Sequence, residues 1–159
     1  MTIWEKLAVP FLPNKLRWRV GSVTKNKDKA TALAYIEARD LMDRLDVICG
    51  VDGWKDEYVT EPPRYIQKKD YKTKSMWMEQ VCGRVICKLS ILDRENKVWV
   101  TKCDGAGETN VEGEKGGISD AFKRAAVKFG VNRDCYRIEK QYVPIDTWKN
   151  FTQTPTVPK

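Results

Sequence analysis

The chain has 159 residues, enough for one ordinary domain with an adequate core. Its 42% hydrophobic and 32% charged residues lie inside the globular range and exclude a disordered chain. Twenty-nine Lys and Arg stand against 22 Asp and Glu, and the resulting +7 suits a polyanionic partner, because each phosphate neutralised by a cation releases condensed counterions.

Taken in order, residues 1–27 carry Pro10 and Pro13 and read as irregular. Met1–Pro13 has an acid and a base near its start and no small-residue cleavage site, so it reads as mature protein rather than a signal. From about Lys29 to Ile48, apolar residues recur at Ala30, Ala34, Ala38, Leu41, Leu45 and Ile48, with Leu33 and Met42 widening the stripe. That spacing predicts a helix whose start lies between Lys29 and Tyr35 and whose stop is Gly50. Trp54–Thr60 reads as a short strand. Val81–Ile91 alternates apolar and polar positions with a period of two, Asp93–Asn96 is a turn cluster, and Val98–Cys103 is the return strand.

Between the first two strands, residues 61–79 interleave Arg64, Lys68, Lys69, Lys72 and Lys74 with Tyr65, Tyr71 and Trp77. A solvated hairpin loop has this composition, and so does a surface for a single-stranded polyanion with stackable bases. Asp104–Gly117 is polar and glycine-rich and reads as a flexible link. Ile118–Val131 returns to helical spacing, with Ile118, Ala121, Phe122, Ala125 and Phe129 on one face and Asp120, Lys123, Arg124 and Lys128 over the other. The expected fold is α+β: a three-stranded antiparallel meander packed by two main helices, a β-β-β-α core. The expected division is a body of residues 1–140 and an extended or flexible tail, 141–159. No apolar stretch approaches the ~20 residues that span a bilayer.

Several chemistries are disfavoured. The chain has no histidine, which removes the commonest general base and metal ligand. Its five cysteines, Cys49, Cys82, Cys87, Cys103 and Cys135, form no C-x-x-C pair, so free thiols are expected and no metal or other cofactor. The run from Asp104 contains no Gly-Lys-Ser/Thr of a P-loop, and Asn110 stands where a dinucleotide fingerprint has its third glycine. A metal-dependent nuclease is the main enzymatic alternative, since Asp93 with Glu95-Asn96-Lys97 has the letters of its carboxylate site. Those letters fall within one turn, however, where side chains diverge. On the second helix, Lys123 and Arg124 are adjacent, Lys128 follows one turn on, and Asp120 sits one turn before Arg124, where a carboxylate orients a guanidinium. An exposed salt-bridged helix face has the same pattern. A scaffold protein that buries this helix in a partner is a third reading.

The segments GGISDAFKRAAVKFG and YIEARDLMDRLDVICGVDGW, with the strand pair between them, resemble the core of the Rad52 family of single-strand annealing proteins, most closely its short bacteriophage members. The resemblance covers roughly Lys29–Tyr136. It implies an ATP-independent, non-enzymatic protein that holds single-stranded DNA in a positive groove around a homo-oligomeric ring and anneals complementary strands in recombination and repair. It also implies the cytoplasm of a bacterial host, no membrane, and an exonuclease or single-strand-binding protein of phage or host as partner. Carried onto this chain, the DNA-binding cations of the family's basic helix are Lys123 and Arg124, preceded by Asp120, and a lysine near the start of that helix is Lys115. The arginine of the Tyr-Ile-Glu-x-x-Arg pattern is Arg39. Where the family often has a third cation, this chain has Val127, with Lys128 beside it. Lys68, Lys69 and Lys72 of the insert join the expected DNA-binding set on composition alone.

Overall fold

The computed structural model describes residues 1–81, 83–107 and 114–157, with backbone alone at 81, 114 and 115. The segment expected to be irregular, 1–27, holds a helix and a strand. Helix α1 (Ile3–Leu7) begins with a capping box: the Thr2 hydroxyl accepts the Glu5 N–H at 3.2 Å, and the Glu5 carboxylate accepts the Thr2 N–H at 2.7 Å. Leu7 is fully buried, and Trp4 stacks on Phe129 with ring centroids 5.8 Å apart. So short a helix is not stable alone; its packing holds it. The guanidinium of Arg44 lies 3.8 Å over the Phe11 ring and donates to the Val9 carbonyl, fastening the stretch that leads to strand β1 (Arg17–Val23).

The helix expected from Lys29 is corrected to a strand followed by a helix. Strand β2 (Lys29–Tyr35) pairs antiparallel with β1, and helix α2 (Ala38–Cys49) follows. Ala30, Ala34 and Ala38 are four apart, and four is a multiple of the strand period as well as close to the helical one. Ala30 and Ala32 face the interior, while Thr31, Leu33 and Tyr35 take the other face of the sheet. Within α2, Leu41, Leu45 and Cys49 are the buried stripe, and Gly50 at φ 82° ends the helix as expected.

Strands β3 (Trp54–Glu61), β6 (Arg84–Asp93) and β7 (Val98–Gly107) form the expected antiparallel sheet, in the order β3-β6-β7. Between β3 and β6, strands β4 (Arg64–Lys69) and β5 (Met76–Val81) pair, among the described residues, only with each other, as a separate hairpin. Residues Asp104–Gly107, expected as flexible link, complete β7 opposite Arg84–Cys87; residues 108–113 of that expected link lie outside the described residues. Helix α3 (Glu114–Lys128) starts four residues before the expected Ile118. Val85, Cys87, Leu89 and Ile91 of β6 meet Ala121, Phe122, Ala125 and Ala126 of α3, all fully buried. The helix sits close because of its small residues: a Cβ on Gly117 would stand 2.8 Å from Val85 Cγ2. Removing the Phe122 ring from this contact would cost ~3–5 kcal/mol.

A second sheet was not expected. Strand β8 (Gln141–Pro144) pairs antiparallel with β2, giving the order β1-β2-β8. The segment expected as a tail, 141–159, thus opens with a paired strand, because β2 has a free edge on the side away from β1. The Gln141 carboxamide then holds Thr156, accepting its N–H at 2.9 Å and donating to its carbonyl at 2.6 Å. Among the described residues, no helix is long and apolar enough to cross a membrane.

Candidate nucleic-acid interface

A groove of about 850 Å³ runs between the two sheets. One wall is the end of β2, Ala32–Ile36, with Arg19 of β1; the other is α3 with Gly105–Gly107 of β7; Cys135, Tyr136 and Lys140 close one end. Among the described lining residues, four cations, Arg19, Lys123, Arg124 and Lys140, face one carboxylate, Asp120. Such a concave lining with an excess of positive charge focuses the field on an incoming anion.

Each cation has a local reason for its place. Lys123 projects from the polar side of α3 and lies 5.7 Å over the Tyr35 ring, with Asp120 Oδ1 3.5 Å away. The orienting role expected for Asp120 toward Arg124 is therefore corrected: Asp120 is the partner of Lys123. Arg124 is oriented by Asp104 of β7, whose Oδ1 accepts from Nε at 3.2 Å, while Lys128 Nζ stands 3.6 Å from Asp104 Oδ2. Burial pushes the Asp104 carboxyl up, but the Gly105 N–H, the Arg124 guanidinium and Lys128 outweigh it and hold the group below 3.8, its ordinary value. Asp104 thus stays ionised wherever the protein is folded near neutrality. Lys128 also donates to the Cys103 carbonyl, and Lys102 donates to the Lys128 carbonyl at 2.8 Å. Arg133 donates to the Val127 carbonyl at 3.0 Å, so cations crowd the C-terminus of α3, where the helix dipole favours them. Burial raises the Cys135 thiol to about 11, which keeps this groove residue neutral.

The expected site residues divide. Lys123, Arg124 and Asp120 come together in the groove. Lys128 lies one turn further on, latched to β7. Arg39 is exposed on the first turn of α2, three residues past Ile36, and does not line the groove. The side chain of Lys115 lies outside the described residues. Lys68, Lys69 and Lys72 are away on the hairpin, where Lys68 pairs with Glu79 at 3.1 Å, Lys69 points to the opposite face, and the Lys72 backbone N–H is held by Asp70 at 2.7 Å. Arg19, Lys140, Tyr35, Tyr136 and Asp104 were not among the expected site residues. The alternation Arg17-Trp18-Arg19-Val20 is a strand signal that would have exposed the first of them.

The letters of the nuclease alternative are engaged in a turn. Asp93 Oδ1 accepts the N–H groups of Glu95 and Asn96, each at 3.1 Å, and its Oδ2 accepts from the Asn96 carboxamide at 2.8 Å. Among the described residues, no three Cys, Asp or Glu side chains converge as a metal site would require.

Over residues 1–150 the chain matches the family described as Rad52/22 family double-strand break repair protein. It is 31% identical over 158 residues to the single-stranded DNA-binding protein DdrA of Deinococcus deserti, an alignment covering 98% of this chain and 66% of that protein. To the single-stranded DNA-binding protein DdrA of Deinococcus radiodurans it is 29% identical over 146 residues, 91% of this chain and 59% of that one. The chain therefore spans no more than about two thirds of the length of these curated relatives. With its order of helix, three-stranded sheet and basic helix, and a family match over nearly its whole length, the chain belongs to the Rad52/22 family of double-strand break repair proteins.

Proposed function

We propose that this chain binds single-stranded DNA through its phosphates in the groove between the sheets and anneals complementary strands in recombination and repair, without ATP and without cutting DNA. The observation that carries this reading is the convergence of four cations on one groove: Lys123 and Arg124 from helix α3, and across from them Arg19 of β1 and Lys140, the residue before β8, from a single sheet. Family membership and the likeness to the single-stranded DNA-binding DdrA proteins support it. Cations that grip phosphate leave base edges free, so binding is sequence-tolerant and the held strand stays ready to pair. Mechanism here is positioning and charge neutralisation, with no covalent step.

The proposal extends to assembly and setting. Residues 1–140 act as the annealing unit, with Arg39 and Lys115 as further phosphate ligands, and protomers close into a ring that joins their grooves into one track. The protein works in a bacterial cytoplasm, its own or that of a phage host, beside an exonuclease or single-strand-binding protein that supplies or protects the strand. Mixing two labelled complementary oligonucleotides with the protein tests the core of this reading. Duplex should form faster than without protein, with no ATP, and both strands should remain full length in magnesium. Degradation that Glu95→Gln abolishes would transfer the chain to the nuclease reading. Electron microscopy with and without an oligonucleotide tests the ring.

A further inference from the structure

Beyond the groove, one pole of the β1-β2-β8 sheet has a feature that phosphate gripping does not use. The turn after β8 presents Trp148 with 83% of its surface exposed, although the turn itself is tightly built. Asp146 Oδ1 accepts the N–H groups of Trp148 at 2.9 Å and Asn150 at 2.8 Å, the Lys149 N–H reaches the Asp146 carbonyl at 3.0 Å, and Ile145 bridges Phe151. Lys149 adopts φ 63°, a conformation that disfavours most side chains, so the turn is held by its bonds. These bonds fix the backbone of the turn, so the exposed indole is presented from an ordered position.

Its surroundings decide what kind. The Ile145 N–H donates to the Asp28 carbonyl at 3.0 Å, which sets the Trp148 turn beside the β1–β2 turn, with exposed Lys25, Lys27 and Lys29. The two acids there are engaged locally: Asp146 within its turn, and Asp28 by the Thr24 hydroxyl at 2.8 Å. The patch is also continuous with the groove. Lys140 lines the groove and lies 5.5 Å over the ring of Tyr142, which is 55% exposed. Tyr142 opposes Thr31 as Arg19 opposes Leu33, so all four project from one face of the sheet. From Lys140 to Pro144 the strand covers roughly 13 Å, which carries this face from the groove to the Trp148 turn.

We propose that Tyr142 and Trp148 form a base-stacking platform, flanked by Lys25, Lys27, Lys140 and Lys149, that takes the end of a single strand as it leaves the groove. The inference rests on the groove reading. Aromatic rings interleaved with cations are what a sequence-tolerant single-strand site needs, since every base has a face to stack. The chemistry is that of a nucleic-acid strand and not of a protein partner, because the uncommitted charges of the patch are all positive.

Affinity for oligothymidylates of increasing length tests it. The wild-type protein should gain affinity in a step once the strand is long enough to pass Tyr142. Trp148→Ala should lose about tenfold on long strands, the size of one base–aromatic stack, and nothing on strands confined to the groove; Trp148→Phe should restore most of the loss. An oligonucleotide with iododeoxyuridine at one terminus should photocrosslink to the peptide containing Trp148. A Trp148→Ala curve that follows wild type at every length, or that falls equally at every length, overturns the platform while leaving the groove intact. Failure of the wild-type protein to bind any length would instead remove the groove reading beneath it.

Discussion

Two regions of this chain look alike in composition and differ in what they can hold. Helix α3 and the β4–β5 hairpin both mix several cations with nearby aromatics. Lys123 and Arg124 sit on a helix pressed against a sheet, and across a groove they meet Arg19 and Lys140 from a second sheet. On the hairpin, Lys68 and Lys69 leave opposite faces of a separate two-stranded ribbon, so their charges diverge. Composition reports how much charge a segment has; topology decides whether that charge converges. A phosphate in the groove would meet several cations at once, whereas one on the hairpin would meet only those of a single face.

The sharpest way to break this comparison is the double variant Lys123→Ala/Arg124→Ala. It should lose affinity for every single-stranded sequence by roughly a hundredfold at low salt, with folding retained, because both side chains lie on the polar face of α3. Lys68→Ala/Lys69→Ala/Lys72→Ala should stay within about threefold of wild type in the same titration. Equal losses from the two would show that the groove has no special standing. Arg19→Ala and Lys140→Ala should each weaken binding about five- to tenfold, intermediate because each removes one converging cation. A smaller effect on binding is expected from replacing residues 64–74 with a short Gly-Ser turn. That change should slow annealing more than it weakens capture of one strand, and unchanged annealing rates would reduce the hairpin to a solvated extension.

The smallest effect concerns Asp104. Its folded carboxyl lies below the ordinary 3.8, so its pairing with Arg124 and Lys128 stabilises the protein above that pH and is lost as pH falls through the folded value. Asp104→Asn should therefore be less stable by under ~1 kcal/mol at pH 7, with the difference shrinking below pH ~4. Thermal melts across that range check it, and a difference growing toward acid pH would contradict the pairing.

What was legible in the sequence follows the distance over which each feature is stabilised. Helix α3 and the β3-β6-β7 sheet could be read because their apolar periods lie within single segments, and Lys123 and Arg124 came with the helix. Strand β2 could not, because alanines four apart fit either period and its partners, β1 and β8, lie on both sides in sequence. Helix α1 was missed although Thr2 and Glu5 carry the capping-box signature, since its stability comes from Leu7 and from Trp4 on Phe129, more than a hundred residues away. The partner of Arg124 was misassigned for the same reason. Asp120 was the nearest acid along the helix, but Asp104 comes across from β7. Half of the groove's cations belong to the sheet that was not foreseen.

The central claim, that several phosphates are gripped in the groove, is tested most directly by the salt dependence of single-strand binding. Each phosphate neutralised on a single strand contributes about 0.7 to the slope of log affinity against log salt. The four converging cations alone predict a wild-type slope at least as steep as about −3, and the Lys123→Ala/Arg124→Ala variant should make it shallower by about 1.4. A slope near zero in the wild type, or one that the double variant leaves unchanged, would contradict the account.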